Sequence, residues 1–303
     1  MDLYQPIESA LTIWLQETAP EARRFFHGRG HLHEGLEHIN IDWYPPLLLI
    51  TAYSEIQNIS ALISTITRVD NNAQVKSIKL QERFKKGAPA TTIFGEELNE
   101  LIVSEGNLNF EVHPGSHQNS GLFLDMRPLR QWLQKYSEGR NVLNLFAYTC
   151  ALSVAALDGN ARQVVNVDMS KPSIKWGEKN HLHNNQDLRS VRSVPHNVFR
   201  SWGRIKKMGP YQTIIIDPPS RQRGSFDAEK NYATVLKKLP HLAAPGADII
   251  ATINSPYLGP DFLINLMDRY GPKCTSARDI LPSPEFEDKF PDKALKIVRF
   301  RVD

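Results

Sequence analysis

Residues 141–168 read NVLNLFAYTCALSVAALDGNARQVVNVD and limit the fold more than any other stretch. An apolar run (Val142, Leu143, Leu145, Phe146) enters a small polar turn (Ala147, Tyr148, Thr149, Cys150). Helix-like residues follow (Ala151, Leu152, Val154, Ala155, Leu157). A Gly159-Asn160 turn leads to a second apolar run over 164–167, which ends in Asp168. Strand, turn, helix, strand and acid in this order predict a right-handed βαβ unit, which brings the turn, the helix N-terminus and the acid to one edge of a parallel sheet. The helix start offers free N–H groups, and the acid can accept both hydroxyls of a ribose. A nucleoside-containing cofactor is expected, either a dinucleotide or S-adenosylmethionine.

The rest of the chain extends this unit. Strands are expected at 141–146, 163–168, 189–194, 211–217, 247–254, 273–281 and 294–302. Helices are expected at 151–158, 171–183, 197–207, 227–239 and 260–270. Five alternating βα units and two final strands with no clear helix between them predict an α/β fold with a seven-stranded, mostly parallel Rossmann-like sheet and an antiparallel edge strand. That ending favours a class I methyltransferase over a dehydrogenase. Upstream, residues 6–18 have helical apolar spacing, and 55–66 form a second helix. Strands are read at 46–51 and 75–84, and a hairpin at 98–104 and 108–113 across Glu105-Gly106-Asn107. A smaller N-terminal α+β domain over 1–120 and a catalytic domain over 121–303 follow.

Composition narrows the partners. The 303 residues are 41% hydrophobic, enough for two cores. No run approaches the ~20 apolar residues of a membrane span, and the N-terminus lacks the pattern of a signal peptide. Two cysteines, Cys150 and Cys274, make no disulfide framework, so a reducing cytoplasm is the expected compartment. Residues 1–120 hold 9 Lys/Arg and 15 Asp/Glu, whereas 121–303 hold 27 and 18. The basic second half suits a polyanion such as RNA, although ordinary surface charge gives the same count. Residues 23–38, RRFFHGRGHLHEGLEH, read as an irregular loop. His27, His31, His33 and His38 lack zinc-type spacing and cysteines, so no metal is assigned. Such a loop can grip phosphate or a stacked base, or can be purely structural.

The chemistry lies in two turns. A dinucleotide site wants G-x-G-x-x-G after the first strand so that backbone can approach pyrophosphate. Residues 147–152 contain no glycine, which leaves S-adenosylmethionine, a cofactor without phosphate. Asp168 is expected on the ribose and Met169 on the adenine face; a strand-end acid that caps the next helix is the plainer role. Asn197 is expected on the adenine edge or as an N-cap. The fourth strand ends in Asp217-Pro218-Pro219-Ser220. There the Asp217 carboxylate and the Pro218 carbonyl can accept from an amino group, and Arg221 and Arg223 can hold phosphate.

On these stretches the sequence resembles the S-adenosylmethionine-dependent methyltransferases of bacterial 23S ribosomal RNA that make 5-methylcytosine or 7-methylguanine. The likeness runs over about 76–303 and is carried by QERFKKGAP (81–89), NSGLFLDMR (119–127), NLFAYTCALSVAAL (144–157), VVNVDMS (164–170) and DPPS (217–220). Cys150-Ala151 stands where the family has a glycine pair. The resemblance implies cofactor contacts from Phe146, Tyr148, Thr149, Asp168 and Asn197, and it places Asp125 and Arg127 near the site as candidates for the substrate; Asn144 and Asp217 are expected beside the cofactor as well. Members that methylate cytosine C5 use a cysteine after the fifth strand, where this chain has Asn254-Ser255. A neutral serine is a poor substitute for a thiolate. Transfer to a base nitrogen is therefore expected, and the resemblance points to guanine N7 or an exocyclic amine; Asp217, Ser220 and Asn254 would orient the base, and Phe226 and Tyr257 either stack on it or simply pack. A protein-amide or small-molecule methyltransferase stays open, as does a non-catalytic RNA-binding or assembly factor. Assembly as a homodimer is likewise left open.

Overall fold

In the computed structural model the described residues are 3–16, 21–222, 226–278 and 280–303. The chain divides into two compact units, Met1–Asp125 with Ser283–Pro291, and Met126–Pro282 with Asp292–Asp303. The expected boundary at 120 thus moves to Asp125, and a short segment near the C-terminus joins the first unit.

The first unit runs α1 (Gln5–Gln16), β1 (Arg23–His27), β2 (Ile39–Tyr44), β3 (Leu47–Ala52), α2 (Ile59–Val69), β4 (Ser77–Glu82) and β5 (Ala90–Gly95), then the hairpin β6 (Leu101–Glu105) and β7 (Leu108–Val112). The five-stranded sheet keeps the order β1-β2-β3-β4-β5, and β3 and β4 are its parallel pair. Ile7, Leu11 and Leu15 of α1 and Leu62 and Ile66 of α2 share a core with Ile39, Ile41 and Ile50. The loop expected over 23–38 is corrected at its start. Arg23–His27 is a strand because Phe25 and Phe26 are buried in this core. β2 escaped the sequence reading because buried Asn40 and Asp42 interrupt its apolar pattern. Asp42 is tolerated there by a two-pronged pair with Arg24, at 2.7 and 3.0 Å. The segment Ser283–Pro291 belongs to this unit through Arg23–Glu285 at 2.8 Å and Lys289 N–H to the Gly30 carbonyl at 2.7 Å. His27 tilts against Phe286, His31 meets the edge of Phe290, and His33 stacks on Phe26.

The second unit comprises α3 (Arg127–Tyr136), β8 (Asn141–Leu145), α4 (Ala151–Asp158), β9 (Gln163–Val167), α5 (Lys171–His183), β10 (Val191–Val194), α6 (Trp202–Met208) and β11 (Tyr211–Ile216). A two-residue ladder β12 (Arg221–Gln222) and β13 (Phe226–Asp227) precedes α7 (Ala228–Leu236), β14 (Ala243–Asn254), α8 (Phe262–Tyr270), β15 (Cys274–Ala277) and β16 (Leu295–Val302). Seven strands stand in the order β10-β9-β8-β11-β14-β16-β15. β16 is antiparallel to both its neighbours and the other pairings are parallel. The two final strands thus pair antiparallel at the edge, and within that pair the reversed strand β16 stands one place in rather than at the rim. β16 has the longer apolar run, with Ile297, Val298 and Phe300 buried, whereas β15 is short and partly exposed and takes the rim. The order reverses between β8 and β11, so the ends of these two strands flank a switch-point crevice.

The opposite end of the sheet is closed by charge. Asp248 on β14 is only 2% exposed and accepts from Arg140 at 2.6 Å, Arg299 at 3.0 Å and Arg301 at 2.8 Å. Removing the one buried carboxylate takes the shared negative charge from all three guanidiniums. Asp248→Asn is expected to cost about 3–5 kcal/mol of unfolding free energy, measured by denaturant titration.

Candidate active site

The turn after β8 is built without glycine, and its backbone shows the cost. Phe146, Tyr148 and Cys150 all have positive φ, at 63°, 47° and 62°. Side chains seldom adopt this region, so the surroundings must hold it. Phe146 and Ala147 N–H both donate to the Val167 carbonyl, at 2.9 and 3.1 Å. Asp168 completes the grip: its Oδ2 accepts from Tyr148 N–H at 2.9 Å and its Oδ1 from Ser170 N–H at 2.8 Å. Ser170 itself caps α5, accepting from Ser173 N–H. The Asp168 carboxylate is partly exposed and keeps lone pairs for further donors. Met169 beside it is 49% exposed.

Beneath the turn α5 is cut away to receive it. A Cβ on Gly177 would collide with the Cys150 Sγ and lie 2.7 Å from its Cβ. Burial pushes the Cys150 thiol up, with Asp168 and Glu178 adding to the shift, so it stays protonated. Asn180 Nδ2 donates to the Thr149 carbonyl at 2.9 Å. The Ser153 hydroxyl donates to the Cys150 carbonyl at 3.0 Å and lies 3.1 Å from His181 Nε2. Burial lowers His181 to about 4, which keeps it neutral in this bracing network. Tyr148 tilts against Trp176, and burial together with Asp168 pushes its hydroxyl up to about 12.

A second group gathers where β11 and β14 end. The Thr252 hydroxyl donates to Asp217 Oδ1. The Tyr232 hydroxyl lies 3.2 Å from the Ile216 carbonyl and 3.0 Å from that of Thr252. Burial keeps that phenol protonated as a donor. The Ser220 hydroxyl donates to the Asn254 carbonyl and ties the two strand-end loops. Lys296 reinforces the second loop by donating to the Ser255 carbonyl at 2.9 Å.

The expected site residues divide accordingly. Phe146, Tyr148, Asp168, Met169, Asp217 and Asn254 stand at this one strand-end edge. Asn144 is corrected: it is 1% exposed and donates to Asn166 on the neighbouring strand, so it ties strands. Thr149 is equally buried, and its carbonyl is held by Asn180. Asn197 caps a short 3-10 turn through Phe199 N–H at 2.8 Å, the plainer of its two expected roles. Ser220 is corrected from base orienter to loop tie, because its proton serves Asn254. Phe226 takes the packing one of its two expected roles: it is 2% exposed and packed by Phe146, Phe199 and Tyr232. Tyr257 is 90% exposed after β14, and Arg221 is exposed in the β12 ladder. Arg127 opens α3, Asp125 belongs to the first unit, and Arg223 lies outside the described residues. Sequence reasoning missed Thr252, Tyr232, Gly177 and Lys296. A lone hydroxyl in the apolar run 249–253 and a lone glycine inside a helix signal the first and third; Tyr232 and Lys296 carry no local signal.

The residues fit an adenosyl cofactor. An acceptor carboxylate stands at the end of β9, an apolar side chain follows it, and no glycine lets backbone approach a pyrophosphate. A family model for S-adenosylmethionine-dependent methyltransferases matches residues 23–301. The ribosomal RNA large subunit methyltransferase K/L of Hahella chejuensis is 30% identical over 230 residues, 71% of this chain and 32% of that protein. The one from Shewanella sp. strain MR-4 is 30% identical over 228 residues, 72% and 32%. The chain thus spans about a third of the length of these relatives. The crystal structure of SMU.776 complexed with SAH superposes with a TM-score of 0.84 at 23% identity, covering 99% of this chain and 80% of that one. At that identity the likeness concerns the fold.

If Gly177 makes room for Cys150, the two positions must couple. Gly177→Ala is expected to cost about 1–3 kcal/mol, and Cys150→Gly in the same chain to recover most of that loss. Denaturant unfolding of both single variants and the double variant measures the coupling; strict additivity would contradict it.

Proposed function

The chain belongs to the S-adenosylmethionine-dependent methyltransferases, and from that premise we propose that it methylates a nitrogen of a guanine in large-subunit ribosomal RNA. One observation carries the choice of atom. The Asp217 carboxylate, oriented by Thr252, stands at the switch-point edge beside a β14 loop that holds Asn254-Ser255 and no cysteine. The chain has two cysteines. Cys150 is buried under the cofactor turn with its thiol held protonated, and Cys274 opens β15. Neither is placed to add to a pyrimidine ring, so the covalent route to cytosine C5 has no nucleophile.

When bound, S-adenosylmethionine supplies a methyl group on a sulfonium, which a nitrogen lone pair takes in line without an enzyme adduct. The work left to the protein is positioning and exclusion of water. Asp168 and the braced turn hold the ribose side. Asp217 and the Pro218 carbonyl are acceptors, and guanine offers donors to match in its N1–H and exocyclic amine. That match supports guanine whether N7 or the amine takes the methyl group. From the amine, the displaced proton leaves to the Asp217 carboxylate; at N7 none is lost. The relatives' names support ribosomal RNA as the polymer.

Tritium-methyl transfer to 23S ribosomal RNA from cells lacking the gene, followed by mass mapping of the modified nucleotide, tests this reading. Label on a guanine nitrogen is expected, and Asp217→Ala should lower turnover by about 10²-fold or more while binding of S-adenosylmethionine changes little. Label on cytosine C5, or in protein alone, would overturn it.

A further inference from the structure

The first unit concentrates uncompensated cations at one edge of its sheet. Residues 1–120 carry a net charge of −6, with nine Lys/Arg. Five of these pair with carboxylates: Arg23 with Glu285, Arg24 with Asp42, Arg68 with Glu8, Lys79 with Glu97 and Lys85 with Glu82. Arg29, Lys76, Arg83 and Lys86 make no ion pair among the described residues. Two of the four meet at one ring. The Arg29 guanidinium lies 4.2 Å and that of Arg83 5.9 Å from the centroid of Tyr53.

The sheet delivers all three to the same place. β1 and β3 are each antiparallel to β2, and β4 is parallel to β3, so β1, β3 and β4 run one way. Tyr53 follows β3 and Arg83 follows β4 directly, and Arg29 follows β1 within one short turn. Each backbone is fixed there: Tyr53 N–H donates to the His38 carbonyl and Arg83 N–H to the Ala52 carbonyl, both at 2.8 Å. Arg29 sits between two glycines with no room for a side chain. A Cβ on Gly28 would strike the Leu36 and Ile39 carbonyl oxygens, and one on Gly30 the Glu287 oxygen. The fold thus clamps a Gly-Arg-Gly turn on both sides while leaving its guanidinium exposed. The next turn adds exposed Phe84 and Lys86.

Guanidiniums held by an aromatic face, without carboxylates, are pre-set for the phosphates and stacked bases of single-stranded nucleic acid. We infer that Arg29, Tyr53 and Arg83 form an RNA-binding site on the N-terminal unit, which grips the backbone of an unpaired stretch of the substrate RNA. This rests on RNA being the substrate. An acidic protein segment would also be attracted to the charge, but it would have no use for a stacking ring.

The test measures binding of an unmodified 23S ribosomal RNA transcript to the full chain across a range of salt. Arg29→Gln with Arg83→Gln is expected to weaken binding at least tenfold and to reduce the slope of log affinity against log salt by about 2. Tyr53→Leu should weaken it about 5-fold or more, whereas Tyr53→Phe, which keeps the ring, should bind like the parent. Binding of S-adenosylmethionine and the thermal transition, unchanged in every variant, establish that the chain is folded. Parent-like affinity and slope in the double variant would overturn the site and leave the proposed reaction standing. Failure of the parent chain itself to bind the transcript would overturn both.

Discussion

Asp168 spans two turns at the switch-point end of the sheet. One carboxylate oxygen takes the Tyr148 N–H from the turn after β8, and the other takes the Ser170 N–H at the start of α5. With the Val167 carbonyl receiving Phe146 and Ala147, these bonds hold three non-glycine residues at positive φ. A turn of that shape normally falls to glycine, because a Cβ there is strained by about 1 kcal/mol or more per residue. Here the strain is offset by hydrogen bonds above the turn and by the gap at Gly177 below it. The glycine has moved from the turn to the helix that packs under it.

The two strand-end groups are coupled through the sheet. β8 and β11 are neighbours where the strand order reverses, so the turn after one and the Asp217-Pro218-Pro219 segment after the other flank a single crevice. Thr252 and Tyr232 fix the second side from β14 and α7, and Ser220 and Lys296 tie down the loop that carries Asn254. At the other end of the same strands, Asp248 and its three arginines lock β14 to β16 and to the residue before β8. The strands are tied at both ends, which suits the proposed reaction, in which the protein's main task is to hold two groups in line.

Much of this was legible in the sequence. The 151–158 and 171–183 helices coincide with α4 and α5, because a short apolar segment between a turn and a strand has few alternatives in a βαβ unit. Asp168 and Asp217 were legible because acids that end buried strands stand at the ligand edge. Long-range pairings explain what was not. β2 hid behind Asp42, whose partner Arg24 is on another strand. The return of residues 283–291 to the first unit depends on Glu285 meeting Arg23, far away in sequence. β16 displaced β15 from the inner position because three of its side chains are buried, which local alternation does not rank. For Phe226 stacking and packing are indistinguishable in the sequence, and only the rings of Phe146, Phe199 and Tyr232 identify it as core.

We propose that the glycine-free turn held by Asp168 receives the adenosyl group. Calorimetric titration tests it directly. S-adenosylmethionine should bind the parent chain with a stoichiometry of about one, and the dinucleotide NAD should give no heat, as expected where no glycine lets backbone approach a pyrophosphate. Asp168→Ala should lose at least tenfold in affinity for S-adenosylmethionine. A folded chain that takes up no S-adenosylmethionine, or an Asp168→Ala variant that binds it as tightly as the parent, would rule this role of the turn out.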